Sequence, residues 1–437
     1  MPENSAKKVP KNANEKKFSI KKFFYEKNFL QKVLYLPLVA RTRNVHTHNQ
    51  MEHKKMNNWQ YGSFFRRLIL VAMVLFAAVG VRAEGETIDE NFVIASVLIA
   101  EPGGVLYSNA GHVTLRLQCP DHQLDYVFSY ESENVSQKVL TFLAGNLKMG
   151  MFAIPTAEYL EPYRQEQRGV KEYVLNMPIE AKRNLWRVCD NHMLEGANLP
   201  YDYINRGCAY STLRILQEGL DTIPIQFGPW PEKFKTLNRR ELTALQMKDY
   251  PWSWAFLNLV CNGEINEYCT KVEKIIMPAD LIEVLSCAKV QGKPFMSSSP
   301  TQLLPPGPER QKPWFTPTLL AGILLLLTIV ASLCKKSVMD YVLLALQTIL
   351  GLITIYLVFF SDLVCTESSC LIVPFNVLPL LLWKWRRWWA LPYAIAIALW
   401  IVVILLWPHS LTDTPFILLS VALIVSYVKM FIENKTK

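Results

Sequence analysis

Hydrophobic and polar positions divide the chain into three regions. Residues 1–55 are rich in Lys and Asn and have no sustained apolar period. Residues 84–296 mix short alternating segments with helical periods, and from residue 314 long apolar runs are separated by short polar loops. The pattern predicts a basic N-terminal extension, an α+β domain at 84–296 and a membrane domain at 314–437.

A short apolar segment precedes the α+β domain. Arg66-Arg67 leads into the apolar run Leu68–Gly80, and the small residues Val81 and Ala83 occupy the −3 and −1 positions of a cleavage site. The run is too short for a spanning helix, which needs about 20 residues. We therefore interpret residues 56–83 as a signal peptide that exports the chain from Glu84 onward.

The 55 residues before this signal are not needed for export. We expect Met56 to be the true start and residues 1–55 to be a mis-annotated upstream extension. The alternative is a basic cytoplasmic tail ahead of an uncleaved signal anchor. Both interpretations place Glu84 and the residues that follow outside the inner membrane.

Alternation and helical periods outline the exported domain. They predict four strands, at 92–100, 112–117, 124–130 and 169–177, with a hairpin turn at Pro120-Asp121-His122. They also predict five helices, at 137–142, 156–166, 179–194, 208–219 and 279–288. A proline-rich tether at 297–313 then leads to the membrane.

The apolar runs near the C-terminus predict five transmembrane helices. Alternating the spans from an exterior start places every basic loop on the cytoplasmic side, as the positive-inside rule requires. Pro374 and Pro379 in the third span predict a kinked helix packed within the bundle, and Asn376 between them is a candidate binding residue. An alternative for Asn376 is a hydrogen bond between helices. The predicted spans are 314–333, 338–360, 371–383, 388–407 and 416–432.

Charge follows the same division. The formal net charge of +9 arises entirely within residues 1–55, and residues 56–437 hold 33 basic and 33 acidic residues. A neutral, apolar chain with 12 Trp and 21 Phe is typical of a membrane protein. This distribution argues against a nucleic-acid partner and against a cytosolic location.

Nine cysteines accompany this topology, and export favours disulfides. Cys261 with Cys269 and Cys365 with Cys370 are the closest local pairs, although connectivity cannot be deduced from sequence. No C-x-x-C, H-E-x-x-H or phosphate-binding glycine loop occurs after residue 83. We therefore expect neither a metal nor a cofactor.

Cys208 and His112 are the candidate catalytic pair. Cys208 follows Gly207 and opens a predicted helix, where the helix dipole stabilises a thiolate. His112 follows Gly111 at the start of a strand, and its ordinary pKa suits a general base. A bridged cysteine and a structural histidine remain the alternatives from spacing alone.

The order of these motifs resembles the Lnb-type bacterial lipoprotein N-acyltransferases. The matching positions are Gly111-His112, the strand Asp125–Tyr130, Arg168-Gly169-Val170 and Tyr201–Cys208, followed by five membrane helices. The resemblance implies a circularly permuted papain-like (NlpC/P60-like) exported domain. The family tends to have Asp-Asn before the cysteine, where this chain has Arg206-Gly207.

The resemblance also implies a reaction. Cys208, activated by His112, would take an acyl chain from a membrane glycerolipid as a thioester and pass it to the α-amino group of a lipoprotein N-terminal cysteine. The partners would be the glycerolipid donor, the lipid-modified lipoprotein and the bilayer. The location would be the bacterial inner membrane, with the catalytic domain in the periplasm and the C-terminus in the cytoplasm.

Further site residues follow from the predicted hairpin. If Leu117–Gln118 pairs with Leu124–Asp125, Tyr130 lies opposite His112 and could orient its imidazole. Asn109 and Tyr203 are weaker candidates for binding. Two other functions stay open, a papain-like cell-wall amidase or endopeptidase and a non-catalytic membrane assembly module.

Overall fold

The exported part of the chain is built on one antiparallel sheet. Seven strands lie in the order β6-β4-β3-β2-β1-β5-β9, and β7 and β8 form a separate ribbon. The strands are β1 Ile94–Ala100, β2 His112–Cys119, β3 Leu124–Ser132, β4 Lys148–Pro155, β5 Val170–Val174, β6 Leu199–Pro200, β7 Lys289–Val290, β8 Lys293–Pro294 and β9 Thr301–Leu304. The sheet and its helices confirm the predicted α+β class.

This computed structural model describes residues 92–133, 137–196, 198–366, 368–409 and 411–435, which belong to one unit of the chain. The predicted signal peptide at 56–83 and the preceding residues 1–55 lie outside the described residues.

Eight helices accompany the sheet in the described part of the exported region. They are α1 Val139–Leu143, α2 Thr156–Gln165, α3 Ile179–Leu194, α4 Cys208–Leu220, α5 Lys233–Thr236, α6 Arg239–Met247, α7 Pro251–Val260 and α8 Pro278–Ser286. The predicted helices at 137–142, 156–166, 179–194, 208–219 and 279–288 correspond to five of them. The strand β4 and the helices α6 and α7 had no counterpart in the predicted elements.

The two faces of the sheet have different partners because side chains alternate along each strand. Val113, Leu115 and Leu117 of β2 point into the main core, which they share with α3 and α4. On the opposite face, Tyr159 of α2 packs against Val127 and other residues of the sheet. Helix α4 therefore lies directly on β2, which brings its N-terminus close to the start of that strand.

Four helices make up most of the membrane domain. They are α9 Pro317–Leu333, α10 Val338–Phe360, α12 Arg386–Leu406 and α13 Thr414–Lys435. The segments Val338–Phe360, Trp383–Leu406 and Thr414–Glu433 are long and apolar enough to cross a membrane, whereas α9 is apolar but has 17 residues.

The third predicted span does not form a continuous helix. Residues 371–383 contain a single α-helical turn, α11 Leu378–Leu381, between two 3-10 turns, Cys370–Ile372 and Trp383–Trp385. Four helical residues rise only about 6 Å, far less than a bilayer. Pro374 has no backbone donor for a continuous helix, whereas Pro379 lies in the first turn of α11, where proline is tolerated.

Polar side chains from neighbouring helices donate hydrogen bonds to the backbone carbonyls that this break leaves unpaired. Gln347 of α10 donates to the Pro374 carbonyl at 2.7 Å, and the Tyr393 hydroxyl donates to the Val373 carbonyl at 2.8 Å. Tyr427 donates in turn to the Gln347 side chain. Irregular backbone at membrane depth is tolerated where neighbouring helices satisfy it in this way.

We expect replacement of Gln347 by leucine to destabilise the membrane domain by about 1–3 kcal/mol, because the Pro374 carbonyl would lose its buried donor. A lower unfolding temperature in detergent would measure this loss. Gln165, exposed on α2, offers the matched control, and Gln165→Leu should leave the transition unchanged. Equal stability of the two variants would contradict the role assigned to Gln347.

The broken segment nevertheless runs from one end of α10 to the other. Ser361, just after α10, donates to the Leu143 carbonyl of the exported domain at 2.6 Å. Trp383 lies against Tyr341, in the first turn of α10, with ring centroids 5.7 Å apart. The chain between them therefore travels the length of α10.

The last two helices also run between the exported domain and the opposite end of the bundle. His409, just after α12, contacts Tyr268 and Glu241 of the exported domain. Lys429 of α13 bonds to Asp340, near the start of α10, at 2.7 Å, and to the Lys336 carbonyl. The loops after α10 and α12 thus face the exported domain, and the basic loop before α10 lies at the opposite end of the bundle.

The exported domain is seated directly on these loops. The Asp362 amide donates to the Ala144 carbonyl at 3.1 Å, beside Gly145. Gly145 has φ +78°, and a Cβ there would come within 2.5 Å of the Asp362 backbone. Only glycine permits both this conformation and this close approach.

Candidate active site

Cys208 is the first residue of α4. Gly207 caps the helix in an extended conformation, and a side chain at Gly207 would meet the Tyr203 carbonyl at 3.2 Å. The approach is fixed by Asp202, whose carboxylate accepts from the Ile204 amide at 2.9 Å. The thiol is therefore held among the unpaired amides of a helix N-terminus, which favour its thiolate form.

His112 is the first residue of β2. The turn before it depends on Gly111, which has φ +76° and lies so close to the Ala100 carbonyl that a Cβ would come within 2.7 Å. His112 pairs across the sheet with Ala100 of β1. Its side chain is 20% exposed, so the imidazole is largely shielded from water.

Helix α4 replaces a neighbouring strand at this end of β2. The pairing of β2 with β3 stops at Leu115, which leaves Val113 without a partner in β3. The Val113 carbonyl accepts from Thr212 of α4 at 3.3 Å, and the Val113 backbone lowers the pKa of the Cys208 thiol. This divergence of the strands brings the thiol beside the imidazole.

The imidazole is anchored on its sheet side. His112 Nε2 lies 3.0 Å from Ser129 Oγ and 3.4 Å from Glu131 Oε1. Ser129 donates to the same Glu131 oxygen at 2.6 Å. Glu131 is thus a carboxylate partner for His112, and the Glu131 side chain remains 43% exposed.

The two catalytic candidates shift each other's pKa in opposite directions. Burial raises the pKa of the Cys208 thiol, but the charge of His112 and hydrogen bonds from His112 and Val113 outweigh it and lower the pKa. Burial lowers the pKa of His112, but the Cys208 thiolate and the Glu131 carboxylate raise it well above its ordinary value. Both shifts favour the thiolate–imidazolium pair over the neutral thiol and imidazole.

Glu131 keeps its charge in this environment. Partial burial raises the pKa of its carboxyl group, but the hydrogen bond and the charge of His112 lower it below its usual value. The carboxylate stabilises the imidazolium, and its negative charge simultaneously raises the pKa of Cys208. Because Glu131 raises both pKa values, it moves the pH range in which Cys208 is a thiolate and His112 an imidazolium to higher pH.

The structure does not place Tyr130 beside His112. The observed register pairs Gln118 with Asp125, so Glu131 rather than Tyr130 continues opposite His112. The Tyr130 hydroxyl instead contacts His192 of α3, whose other ring nitrogen lies 2.7 Å from Glu218. The predicted hairpin register was one residue short, and a shift of one residue exchanges the two faces of a strand.

The other predicted site residues have different surroundings. Asn109 is buried and accepts from Ser253 when its amide nitrogen faces the Val105 and Gly103 carbonyls, so its amide closes the loop before β2. Tyr203 is partly buried in the turn before Cys208. A binding role for these two residues stays a prediction.

Asn376 lies in the broken membrane segment. Its amide donates to the Ile372 and Val373 carbonyls at 3.1 and 3.0 Å, and its oxygen accepts from the Leu378 amide at 3.0 Å. With these bonds Asn376 satisfies backbone groups of the broken segment. A binding role for Asn376 stays a prediction. Among the described residues, no group of three or more His, Cys, Asp or Glu side chains could hold a metal ion.

Family comparison covers both catalytic candidates. Residues 86–237 match the family model described as the Lnb N-terminal periplasmic domain. Residues 86–237 are therefore similar to an Lnb-type periplasmic domain. This match confirms the predicted resemblance and includes His112, Glu131 and Cys208, while the membrane helices lie beyond the matched residues. No curated protein and no solved structure matches the chain.

Proposed function

We propose that this Lnb-type protein is a thiol-dependent lipoprotein N-acyltransferase. The observation that carries the proposal is the Cys208–His112 pair at a helix N-terminus, with Glu131 behind the imidazole. A polarised thiol of this kind is suited to attack an ester carbonyl and to hold the acyl group as a thioester. The pair is the machinery that a two-step acyl transfer needs.

The surroundings of the pair favour a lipid substrate. Tyr201 and Tyr203, in the turn before Cys208, and Ala110, just before His112, belong to one apolar cluster. The same cluster includes Ile353 and Leu357 of the membrane helix α10. A continuous apolar contact from the bilayer to the site suits a glycerolipid whose acyl chains remain in the membrane.

The first step forms the thioester. The Cys208 thiolate attacks the ester carbonyl of the glycerolipid, and the Cys208 amide at the helix N-terminus contributes to stabilising the oxyanion. The ester C–O bond breaks, and His112 donates its proton to the departing glycerol oxygen. The acyl-thioester enzyme and a lysolipid result.

The second step delivers the acyl chain. The α-amino group of the lipoprotein N-terminal cysteine attacks the thioester carbonyl, and His112 accepts the proton that this amine loses. The C–S bond breaks and regenerates the Cys208 thiolate. The product is an amide, and its formation is far less readily reversed than formation of the thioester.

The proposed topology is five crossings of the bacterial inner membrane, with the third made by the broken segment at 371–383. The alternating ends of the helices support it, as do the basic residues Lys335 and Lys336 at the end of the bundle away from the exported domain. The catalytic domain would face the periplasm and the C-terminus the cytoplasm.

Mass spectrometry of lipoprotein N-termini tests the activity directly. In a bacterial host that lacks its own N-acyltransferase, expression of the chain should add one acyl chain to the free α-amino group of its lipoproteins. The same host with an empty vector provides the baseline. Lipoproteins that keep a free amino terminus would overturn the proposal, and release of murein peptides instead would assign the site to a cell-wall amidase.

A further inference from the structure

Two cysteines from distant parts of the chain face each other where the exported domain meets the membrane domain. Cys261 ends helix α7, and Cys365 lies in the loop after α10, 104 residues later. Their sulfur atoms are 3.7 Å apart, which is van der Waals contact. Both side chains have 0% of their surface exposed.

The backbone beside this pair is held in register. The Asn262 amide donates to the Cys365 carbonyl at 2.6 Å, so a backbone hydrogen bond joins the two segments beside the cysteines. On the other side, Arg240 donates to the Cys261 carbonyl at 3.1 Å. To form a bond, the two sulfurs would have to close from 3.7 Å to about 2.05 Å.

The cysteines nearest in sequence to this pair, Cys269 and Cys370, have other contacts. Cys269 Sγ lies 3.6 Å from the Lys271 carbonyl, and Cys370 Sγ lies 3.6 Å from the Leu411 carbonyl. The local pairs that the sequence made easiest are therefore not the pair that the fold brings into contact.

We propose that Cys261 and Cys365 form a disulfide that links the exported domain covalently to the first outer loop of the membrane domain. The proposed topology supports it, because it places both residues on the periplasmic side of the membrane, where disulfides persist. The cross-link would hold the catalytic domain against the loop that follows α10.

The oxidation requires a partner of the disulfide-exchange class, a periplasmic oxidoreductase with an oxidised dithiol. A Cys261 or Cys365 thiolate attacks its disulfide and forms a mixed disulfide, and the second thiol then displaces the oxidoreductase. One S–S bond forms in this chain, and two electrons and two protons reduce the partner to its dithiol. Because both cysteines are buried in the finished fold, the exchange precedes closure of the interface.

The link also bears on the catalytic turn. Arg240 holds Cys261, and the adjacent Arg239 donates to the Ile204 carbonyl, four residues before Cys208, at 2.8 Å. Two neighbouring arginines of α6 therefore connect the cross-linked segment with the approach to the nucleophile. The disulfide would fix the distance between the membrane and the catalytic helix.

Peptide mapping without reduction tests the proposal on the full-length protein. The protein is expressed in cells that export it and is denatured in the presence of a thiol-alkylating reagent. It is then digested with trypsin and with a protease that cuts after glutamate. Cleavage at Glu264 or Glu267 separates Cys261 from Cys269, and cleavage at Glu367 separates Cys365 from Cys370. Each cysteine thus appears in its own peptide.

We expect the Cys261 and Cys365 peptides to appear as one species, two hydrogens lighter than their sum, that reduction separates. In Cys261→Ser, Cys365 should become alkylated, whereas Cys269→Ser should leave the linked species intact. Alkylation of both cysteines in the unmodified protein would overturn the proposal, as would a Cys261–Cys269 or Cys365–Cys370 peptide. The measurement does not depend on catalysis, so it is independent of the proposed acyl transfer.

Discussion

Replacement of Cys208 by alanine should lower lipoprotein N-acylation by at least about a thousandfold, because no thioester can form without the nucleophile. The expected loss is large because the thiolate is the only group in the proposed cycle that becomes covalently attached to the acyl chain. The fold should survive the change, since Cys208 is only partly buried and opens its helix at the edge of the core. The N-acyl state of lipoproteins from cells expressing each variant measures the effect.

A trapped intermediate distinguishes a nucleophile from a merely structural thiol. The unmodified protein, supplied with glycerolipid and no lipoprotein acceptor, should gain the mass of one acyl chain on the peptide that contains Cys208, and neutral hydroxylamine should remove it. Cys287, an exposed thiol after helix α8, offers the matched control. Cys287→Ala should acylate normally, and normal acylation by Cys208→Ala would refute the mechanism.

The sequence predicted the elements around the site well because each has a strong local signal. Apolar alternation placed β1, β2 and β3, and helical periods placed α3 and α4 nearly to the residue. The glycines before His112 and Cys208 marked the two turns. Strand β4 escaped because Lys148–Pro155 contains Gly150 and Pro155 and has only one β-branched residue, Ile154.

The partner of His112 depended on a detail that local signals do not supply. Gln123 adopts a left-handed conformation at φ 55° in the turn between β2 and β3, and this turn geometry sets the register. A register one residue short places Tyr130 opposite His112, whereas the observed register places Glu131 there. The signal in the sequence is the carboxylate next to Tyr130, because a carboxylate is the usual partner of an imidazolium.

Contacts between distant segments were beyond the sequence altogether. The broken segment at 371–383 depends on Gln347 and Tyr393, which come from other helices and are ordinary polar residues there. The Cys261–Cys365 contact joins residues 104 positions apart. Periodicity reports which face of an element is buried, but it does not report what that face is buried against.

Replacement of Glu131 by glutamine should lower acyl transfer by about ten- to a hundredfold and move its pH profile to lower pH. The loss in rate follows because His112 would keep Ser129 as a partner but lose the carboxylate that fixes the imidazolium, and misplacement by about 1 Å costs about a hundredfold. Both flanks of the pH profile should move in the same direction, for two separate reasons.

The alkaline flank reports the loss of the imidazolium proton. Glu131 raises the pKa of His112, so its removal lowers that pKa, and the imidazolium is lost at a lower pH. The acid flank reports protonation of the thiolate. The charge of Glu131 also raises the pKa of Cys208, so its removal lowers that pKa, and the thiolate persists to a lower pH. A purely structural defect would reduce the rate and leave both flanks in place.

Glu133 provides the matched control, because it follows β3 by one residue and bonds to Lys138 at the surface instead of to His112. Glu133→Gln should retain the unmodified rate and pH profile. Single-turnover acylation of Cys208, measured by mass spectrometry across the pH range, isolates the first step from lipoprotein binding. If Glu131→Gln has lower activity but unshifted flanks, the carboxylate acts on the fold of β3 and not on the thiolate–imidazolium pair.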